Sequence, residues 1–408
     1  MVETYQPRNA EEVREALAWA VAEAEAIDLG GAGSKESLGR PLAAERRLDL
    51  SDLDDITLYE PDELVMTAGA GTPLAAIEAR LAAERQTLAF EPPDFGPLLG
   101  GAAGAATIGG VLGCNHSGPR RLKAGAARDH FLGVHGVSGR GEAFVSGGRV
   151  VKNVTGYDMC KLLAGSYGTL AAMTEVTLKT VPAPEATRTV LVRGLDEVAG
   201  VATLGKAARG RGEASGLAHL PAAAAARSAV PEVADAGGPV SAIRLEGPAP
   251  SADARASLVV AELAGLGPAA TLLDEDSQRL WHEVRDVAPL VGGDGESILW
   301  RLSVAPAEGA NIVTRIRQVT ACEALYDWAG GLVWLQLKPG AAAQAEPVRA
   351  AVAEAGGHAF LFRAPTEVRA KVPVFEPQPR ALAALSQRIK DGFDPRGILN
   401  RGRMVAAP

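Results

Sequence analysis

The sequence predicts an α+β protein of more than one domain, and three observations carry that reading. Short strand-like segments alternate with amphipathic helices along most of the 408 residues. Glycine is over-represented, with 47 residues against a usual ~7%, and it clusters at 30–39 and 96–141. Pro182-Ala183-Pro184 then marks a boundary, beyond which Ala-rich runs appear at 222–226 and 341–345. A chain of this length exceeds a single core. The expected divisions are 1–184, itself split near residue 47, then 185–365, then a closing segment 366–408.

The elements follow in order. Residues 9–26 read as an amphipathic helix with Asn9 as cap, Glu11 and Glu12 in its first turn, and Val13, Leu17, Ala20 and Val21 on one stripe. A strand at Ile27–Leu29 runs into the loop Gly30-Gly31-Ala32-Gly33-Ser34-Lys35, which continues to Gly39-Arg40-Pro41. Leu64–Ala68 is a second strand. Thr72-Pro73 starts a helix, with a hydroxyl cap and proline in the first turn, and Leu74, Ile77 and Leu81 share its face. Past the boundary, Ser241–Leu245, Ile298–Val304 and Leu332–Leu337 read as strands. Near the end, Leu382, Leu385 and Ile389 lie on one helical face.

Composition excludes several classes. A net charge of −8 and a pI near 5.5 do not suit a nucleic-acid partner. The cysteines Cys114, Cys160 and Cys322 are far apart with no CxxC, so no zinc site or iron–sulfur cluster is expected, and the sparse count suits a reducing cytoplasm. The N-terminus lacks a signal-peptide pattern. No apolar run reaches the ~18 residues of a membrane span. The expected location is cytoplasmic, with membrane contact at most peripheral and through partners.

The glycines bear on chemistry. Successive backbone N–H groups in a glycine-rich turn form a concave nest for a phosphate. Gly30, Gly31, Gly33 and Gly39 make one candidate. Thr107-Ile108-Gly109-Gly110, with Ser117-Gly118 and Gly125, makes another. A Rossmann turn needs GxGxxG opening a helix; here the third glycine is missing and Gly39-Arg40-Pro41 interrupts. No GxxxxGK[ST] occurs. Two separated nests can grip one diphosphate from two sides.

Further motifs carry a resemblance. Tyr59-Glu60-Pro61-Asp62-Glu63-Leu64-Val65, Ser117-Gly118-Pro119-Arg120-Arg121, Arg128-Asp129-His130-Phe131-Leu132-Gly133, Lys152-Asn153-Val154-Thr155-Gly156-Tyr157-Asp158, Gly165-Ser166-Tyr167-Gly168-Thr169-Leu170 and Thr174-Glu175 join the two glycine loops in order. Together with Phe393-Asp394-Pro395-Arg396-Gly397-Ile398-Leu399-Asn400 they resemble the FAD domain of the vanillyl-alcohol oxidase and p-cresol methylhydroxylase type. Leu38-Gly39-Arg40-Pro41, Glu91-Pro92-Pro93, Leu299-Trp300-Arg301-Leu302, Asp327-Trp328-Ala329-Gly330-Gly331 and Gly356-Gly357-His358-Ala359 narrow this. Within that superfamily the chain is similar to the smaller flavin subunits of bacterial glycolate oxidases.

The resemblance implies a two-subdomain FAD-binding domain (1–47 and 48–184), an α+β cap domain (185–365) and a C-terminal segment returning to the FAD domain. It implies FAD contacts from Gly31, Ala32, Gly33, Ser34, Lys35, Gly39 and Arg40, and from Pro92. It adds Thr107, Ile108, Gly109, Gly110, Asn115, Ser117, Gly118, Arg120, Gly125, Arg128 and Asp129, and finally Gly168, Thr174 and Asn400. It also implies oxidation of glycolate to glyoxylate, with a larger flavin subunit and an iron–sulfur subunit as partners. Two departures stand out. Catalytic relatives carry Gly-Asp-Gly-Asn-hydrophobic-His, whereas this chain has Gly293-Asp294-Gly295-Glu296 without the histidine, and the usual Asn-Pro-Gly is Asn400-Arg401-Gly402.

Substrate-side candidates are few. Arg301, on an alternating strand, offers a bidentate carboxylate partner if it faces inward and a surface ion pair if not. His358 follows two glycines. No metal site is expected from the six histidines, and Trp281, Trp300, Trp328 and Trp334 read as core anchors. Cys114 reads as a small buried residue and no histidine follows the first loop, so the FAD is expected to be non-covalent. Three functions remain open: a flavin subunit of a glycolate-oxidising complex, a stand-alone D-2-hydroxy acid dehydrogenase, and a flavin relay without a substrate step.

Overall fold

The computed structural model describes residues 3–150, 156–292, 297–340 and 343–406. Residues 152–155 of one motif, the 293–296 string and residues 341–342 of an alanine run lie outside the described residues. The chain forms two compact units: Met1–Ser117, Gly125–Ala183 and Pro377–Pro408 make one, and Gly118–Ala124 with Pro184–Glu376 make the other.

In the first unit, helix Ala10–Glu23 is capped as expected. The Asn9 side chain accepts from the Glu12 amide at 2.9 Å, and Val13, Leu17 and Ala20 are buried. It ends short of residue 26 because Ala24 turns left-handed (φ 55°) and its amide closes back on Ala20 and Val21. Three parallel strands accompany it, β1 (Glu3–Tyr5), β2 (Ile27–Gly30) and β3 (Arg46–Asp49), in the order β1-β3-β2. The C-terminal residue Leu399 bridges to Ile27 in parallel, so chain end and chain start share one core with Val13, Leu17 and Leu48.

The rest of the first unit is built on an antiparallel sheet. Its strands are β4 (Leu58–Glu60), β5 (Val65–Gly69), β7 (Phe131–Ser138), β8 (Ala143–Gly147) and β9 (Ala171–Lys179), in the order β4-β5-β9-β7-β8; β6 (Gln86–Thr87) pairs with β10 (Val181–Pro182). Helix Leu74–Ala83 buries Leu74, Ile77 and Leu81 as expected. The Thr72 cap is not formed. Pro73 takes the cap position in an extended conformation, and the Thr72 hydroxyl turns instead to the Asp55 carbonyl at 3.5 Å. The closing helix Arg380–Phe393 forms as expected. Leu382 and Leu385 are 47% and 44% exposed, and only Ile389 and Phe393 pack on the core. The helix is anchored at its end, by Lys390 and Asp394, rather than along its stripe.

The second unit is one eight-stranded sheet: β11 (Ala186–Arg193), β12 (Gly216–Leu220), β13 (Val240–Gly247), β14 (Ala269–Leu273), β15 (Ile298–Ser303), β16 (Cys322–Asp327), β17 (Leu332–Leu337) and β18 (His358–Arg363), in the order β14-β11-β13-β12-β16-β17-β15-β18. Alternation along β15 sends Trp300 and Leu302 into a core with Ile312, Val313, Val333 and Leu361. The tryptophans are anchors: Trp281 bonds Thr189 Oγ1 at 2.8 Å and Trp300 bonds the Ala343 carbonyl at 3.0 Å.

Candidate functional site

The first glycine loop becomes one wall of a cavity of about 810 Å³, measured with its open mouth. The wall runs from Asp28 to Glu36. Opposite it stand Thr107, Gly109, Gly110, Gly113 and Cys114, and Tyr167, Gly168, Asn400 and Arg403 close one side. All of these belong to the first unit.

The sequence Thr107 to Gly110 is not a loop. It is the start of helix Ile108–Cys114, with Thr107 Oγ1 accepting from the Gly110 amide at 3.4 Å. Its glycines serve close approach. A Cβ on Gly109 would sit 2.7 Å from the Ala70 carbonyl oxygen, and one on Gly31 would sit 2.9 Å from Thr107 Oγ1. The helix therefore packs backbone to backbone, which leaves the space between the two walls open.

The first turn itself fits a phosphate. Among the described residues, no protein acceptor takes the backbone amides of Ala32, Gly33, Ser34 or Lys35. Four neighbouring donors without protein partners, in a turn where Gly33 has φ +80°, are a nest of the kind that holds an anion. Arg47 stiffens the turn from behind: it bonds the Gly31 carbonyl at 2.9 Å and pairs with Glu36, Asp28 and Asp49. Burial lowers the Lys35 ammonium below its ordinary range, opposed by Cys114 and Asp94. Burial also pushes the Cys114 thiol up to about 11, so at neutral pH it is a protonated thiol and a poor nucleophile.

The C-terminal signature locks the site. Asn400 accepts from the Leu29 amide at 2.7 Å and donates to the carbonyls of Leu29 at 3.1 Å and Tyr167 at 2.8 Å. Arg403 donates to the Leu38 carbonyl at 2.8 Å and pairs with Asp28 at 3.2 Å. Asp394, 1% exposed, accepts from the amides of Ile398 and Leu399 and from Lys390 Nζ at 2.9, 2.8 and 2.5 Å.

The expected contact residues separate into groups. Gly31, Ala32, Gly33, Ser34, Lys35, Thr107, Gly109, Gly110, Gly168 and Asn400 line the cavity. Gly39 and Arg40 instead meet the C-terminal turn: the Arg40 amide bonds the Arg403 carbonyl at 2.8 Å. Ile108 is core, Pro92 is buried, and Thr174 gives its carbonyl to the Ala70 amide. Asn115, Ser117, Gly125, Arg128 and Asp129 build a neighbouring turn. In it Asn115 Oδ1 accepts from the Arg128 amide, Ser117 Oγ from the Ala127 amide, and Asp129 from the Ala126 amide, at 3.1, 2.9 and 2.9 Å, with a Cβ on Gly125 meeting Asp129 at 3.0 Å.

Gly118 and Arg120 lie in the second unit. The Gly118 carbonyl accepts from Trp328 Nε1 at 3.1 Å, and Arg120 forms a forked pair with Glu246 at 2.6 and 3.0 Å. Arg301 is half-buried, its guanidinium 5.2 Å from the Trp328 ring and 5.9 Å from Trp334. His358 is exposed at the start of β18. Sequence reasoning missed Asp28, Arg47 and Arg403, three cavity residues that carry no local motif, and passed over Tyr167 although it sits inside a quoted motif. Only the tertiary return of the C-terminus reveals Arg403.

Comparison with known proteins agrees with this geometry. A family model described as an FAD binding domain matches residues 4–147. The glycolate oxidase subunit GlcE of Escherichia coli K12 is 31% identical over 388 residues, 95% of each chain. The glycolate oxidase subunit GlcD of Bacillus subtilis is 37% identical over 134 residues, which is 33% of this chain and 27% of that one. A solved structure of p-cresol methylhydroxylase with substrate bound aligns at TM-score 0.69 and 13% identity, covering 99% of this chain and 88% of that one. This establishes the p-cresol methylhydroxylase-type fold. The cofactor is FAD, and the amide nest and glycine walls fit it. Identity at this level over nearly the whole of both chains goes beyond one shared domain, and on that ground the chain belongs to the GlcE family of FAD-linked oxidoreductases.

Proposed function

We propose that this chain is the flavin subunit of a hetero-oligomeric complex that oxidises a small 2-hydroxy acid, glycolate to glyoxylate. The observation that carries the reading is the near end-to-end similarity to a glycolate oxidase subunit. In the proposed complex a larger flavin subunit and an iron–sulfur subunit accompany it and take the electrons onward. The bound FAD is non-covalent, consistent with a Cys114 thiol held protonated.

FAD supplies a two-electron acceptor, while the protein supplies binding and local charge. The open amides of residues 32–35 would hold its diphosphate. Asn400 and Arg47 fix the loops on either side of it, and the glycine walls keep side chains out of its space. Oxidation removes a hydride from the α-carbon and a proton from the hydroxyl, which calls for a base and for a cation at the carboxylate.

A second reading places that substrate step on a sister subunit. The described functional groups favour it. They converge on the diphosphate cavity, while Arg301 is stacked on two tryptophans and His358 faces solvent. No described helix is long and apolar enough to cross a membrane, and contact with one is proposed only through partners.

The test uses the purified chain with and without the larger subunit, mixed with glycolate or D-lactate without oxygen, while the visible flavin spectrum is followed. Bleaching of the chain alone puts the substrate step on this chain. Bleaching only with the sister subunit puts it there instead. A colourless chain that takes up no FAD ends both readings.

A further inference from the structure

We propose that the Lys35 ammonium is the cavity's counter-charge for the cofactor diphosphate, so that one side chain sets cofactor affinity while the fold does without it. The inference rests on the FAD reading above and adds a role for this residue. Five charged side chains line the cavity: Asp28, Lys35, Glu36, Arg47 and Arg403. Arg47 is paired with Asp28 and Glu36, and Arg403 with Asp28. Among the described residues, no carboxylate lies within ion-pair distance of Lys35 and its bond is to the Ser34 hydroxyl at 3.2 Å. It leaves the lining with a residual positive charge.

Its position is that of a ligand group. A Cβ on Gly110 would lie 3.5 Å from Lys35 Nζ, so the ammonium reaches across from the amide nest to the facing glycine wall. The nest supplies four donors and no charge, whereas a diphosphate carries a negative charge that an ammonium can match. Without that anion the half-buried cation is a cost to the fold. With it, the same desolvation strengthens the attraction.

The surroundings set the pH behaviour. Cys114 and Asp94 raise the proton affinity of Lys35 and burial outweighs both in lowering it, with Asp28, Glu36, Arg47, Tyr167 and Arg403 lining the same cavity. An incoming diphosphate raises that affinity again, so binding at alkaline pH takes up a proton.

The experiment uses apoprotein titrated with FAD, ADP and riboflavin, for the wild type, Lys35→Met, Lys35→Gln and Lys35→Arg. The Met and Gln variants are expected to lose about tenfold to a hundredfold in affinity for FAD and for ADP alike. They lose nothing for riboflavin, and Arg restores most of the binding. Their apoproteins unfold at the same or a higher temperature than wild type, and their alkaline proton uptake, read by calorimetry in two buffers, disappears.

FAD and ADP affinities within twofold of wild type overturn the assignment. So does an unchanged ADP affinity with a lowered flavin midpoint potential, which would assign the charge to the flavin ring. A wild type that binds ADP but not FAD breaks the FAD reading and leaves the lysine assignment standing. One that binds neither overturns both.

Discussion

The two units solve opposite problems with opposite materials. The first leaves a space between backbone walls, with glycines at 31, 109 and 110 and open amides at 32–35. The second fills its space, with Trp281, Trp300, Tyr326 and Phe362 fully buried and forked arginines holding its loops. A site made of backbone needs particular residues in a particular order, because only glycine fits where a Cβ would collide. A site made of side chains on a filled sheet leaves no such record. The cofactor chemistry is therefore readable in this chain, while the substrate chemistry rests on relatives.

The largest expected effect tests whether the backbone-built site depends on the C-terminal turn. Asp394 is buried and accepts from two amides and the Lys390 ammonium, and a Cβ on Gly139 would lie 2.4 Å from its Cβ and Cγ. Asp394→Ala leaves Lys390 without its carboxylate and frees the turn that presents Asn400. We expect a loss of about 3–5 kcal/mol in denaturant unfolding of the apoprotein, together with weaker FAD retention. Unchanged stability would show that the turn holds without its carboxylate. Lost stability with unchanged FAD affinity would detach the cavity from the chain end.

The next effect belongs to the filled unit. His219 is fully buried, hydrogen-bonded through Nδ1 to Ser241 Oγ at 2.9 Å, and burial lowers its pKa from 6.5 to about 4. Because the folded pKa is depressed, the unfolded chain binds the proton first as pH falls. The stability of the neutral histidine is complete above about 6.5 and is lost as pH drops through 4. The second unit should lose up to about 3 kcal/mol over that window. A His219→Gln variant should flatten the profile, as read by urea midpoints at pH 7, 5.5 and 4. An equal slope in both proteins would place the acid sensitivity elsewhere.

Legibility followed the same divide. The Asn9 cap, the β2 strand and the face of Leu74, Ile77 and Leu81 were plain because local chemistry decided them. The first glycine loop was plain because its order of residues is its function. The start of helix Ile108–Cys114 was misread as a loop because two glycines argue against a helix locally, whereas packing on Ala70 requires them. The Thr72 cap failed because an extended Pro73 outranked a hydroxyl. Arg403 and Arg47 could not be read at all, since their partners Asp28 and Leu38 meet them only in the fold. Gly118 and Arg120 show the same limit: they sit between two cofactor motifs in sequence, yet their hydrogen bonds run to Trp328 and Glu246.

Arg120 gives the smallest effect and the sharpest contrast between the units. Its fork to Glu246, a carboxylate only 9% exposed that also lies 3.5 Å from Arg244, is partly screened by Arg244, so its loss is not that of a lone buried charge. Arg120→Gln should cost about 1–2 kcal/mol in the unfolding of the second unit and shift FAD affinity by less than about twofold. Removing Glu246 as well, by Glu246→Gln, should add to that cost, since the buried Arg244 then loses its carboxylate too. The sequence position of Arg120, between the cofactor loops, predicts the reverse: a large loss of FAD affinity with little change in stability. Calorimetric FAD titration and urea unfolding of the same variant decide between the two, because a residue that binds cofactor and a residue that holds a loop move different measurements.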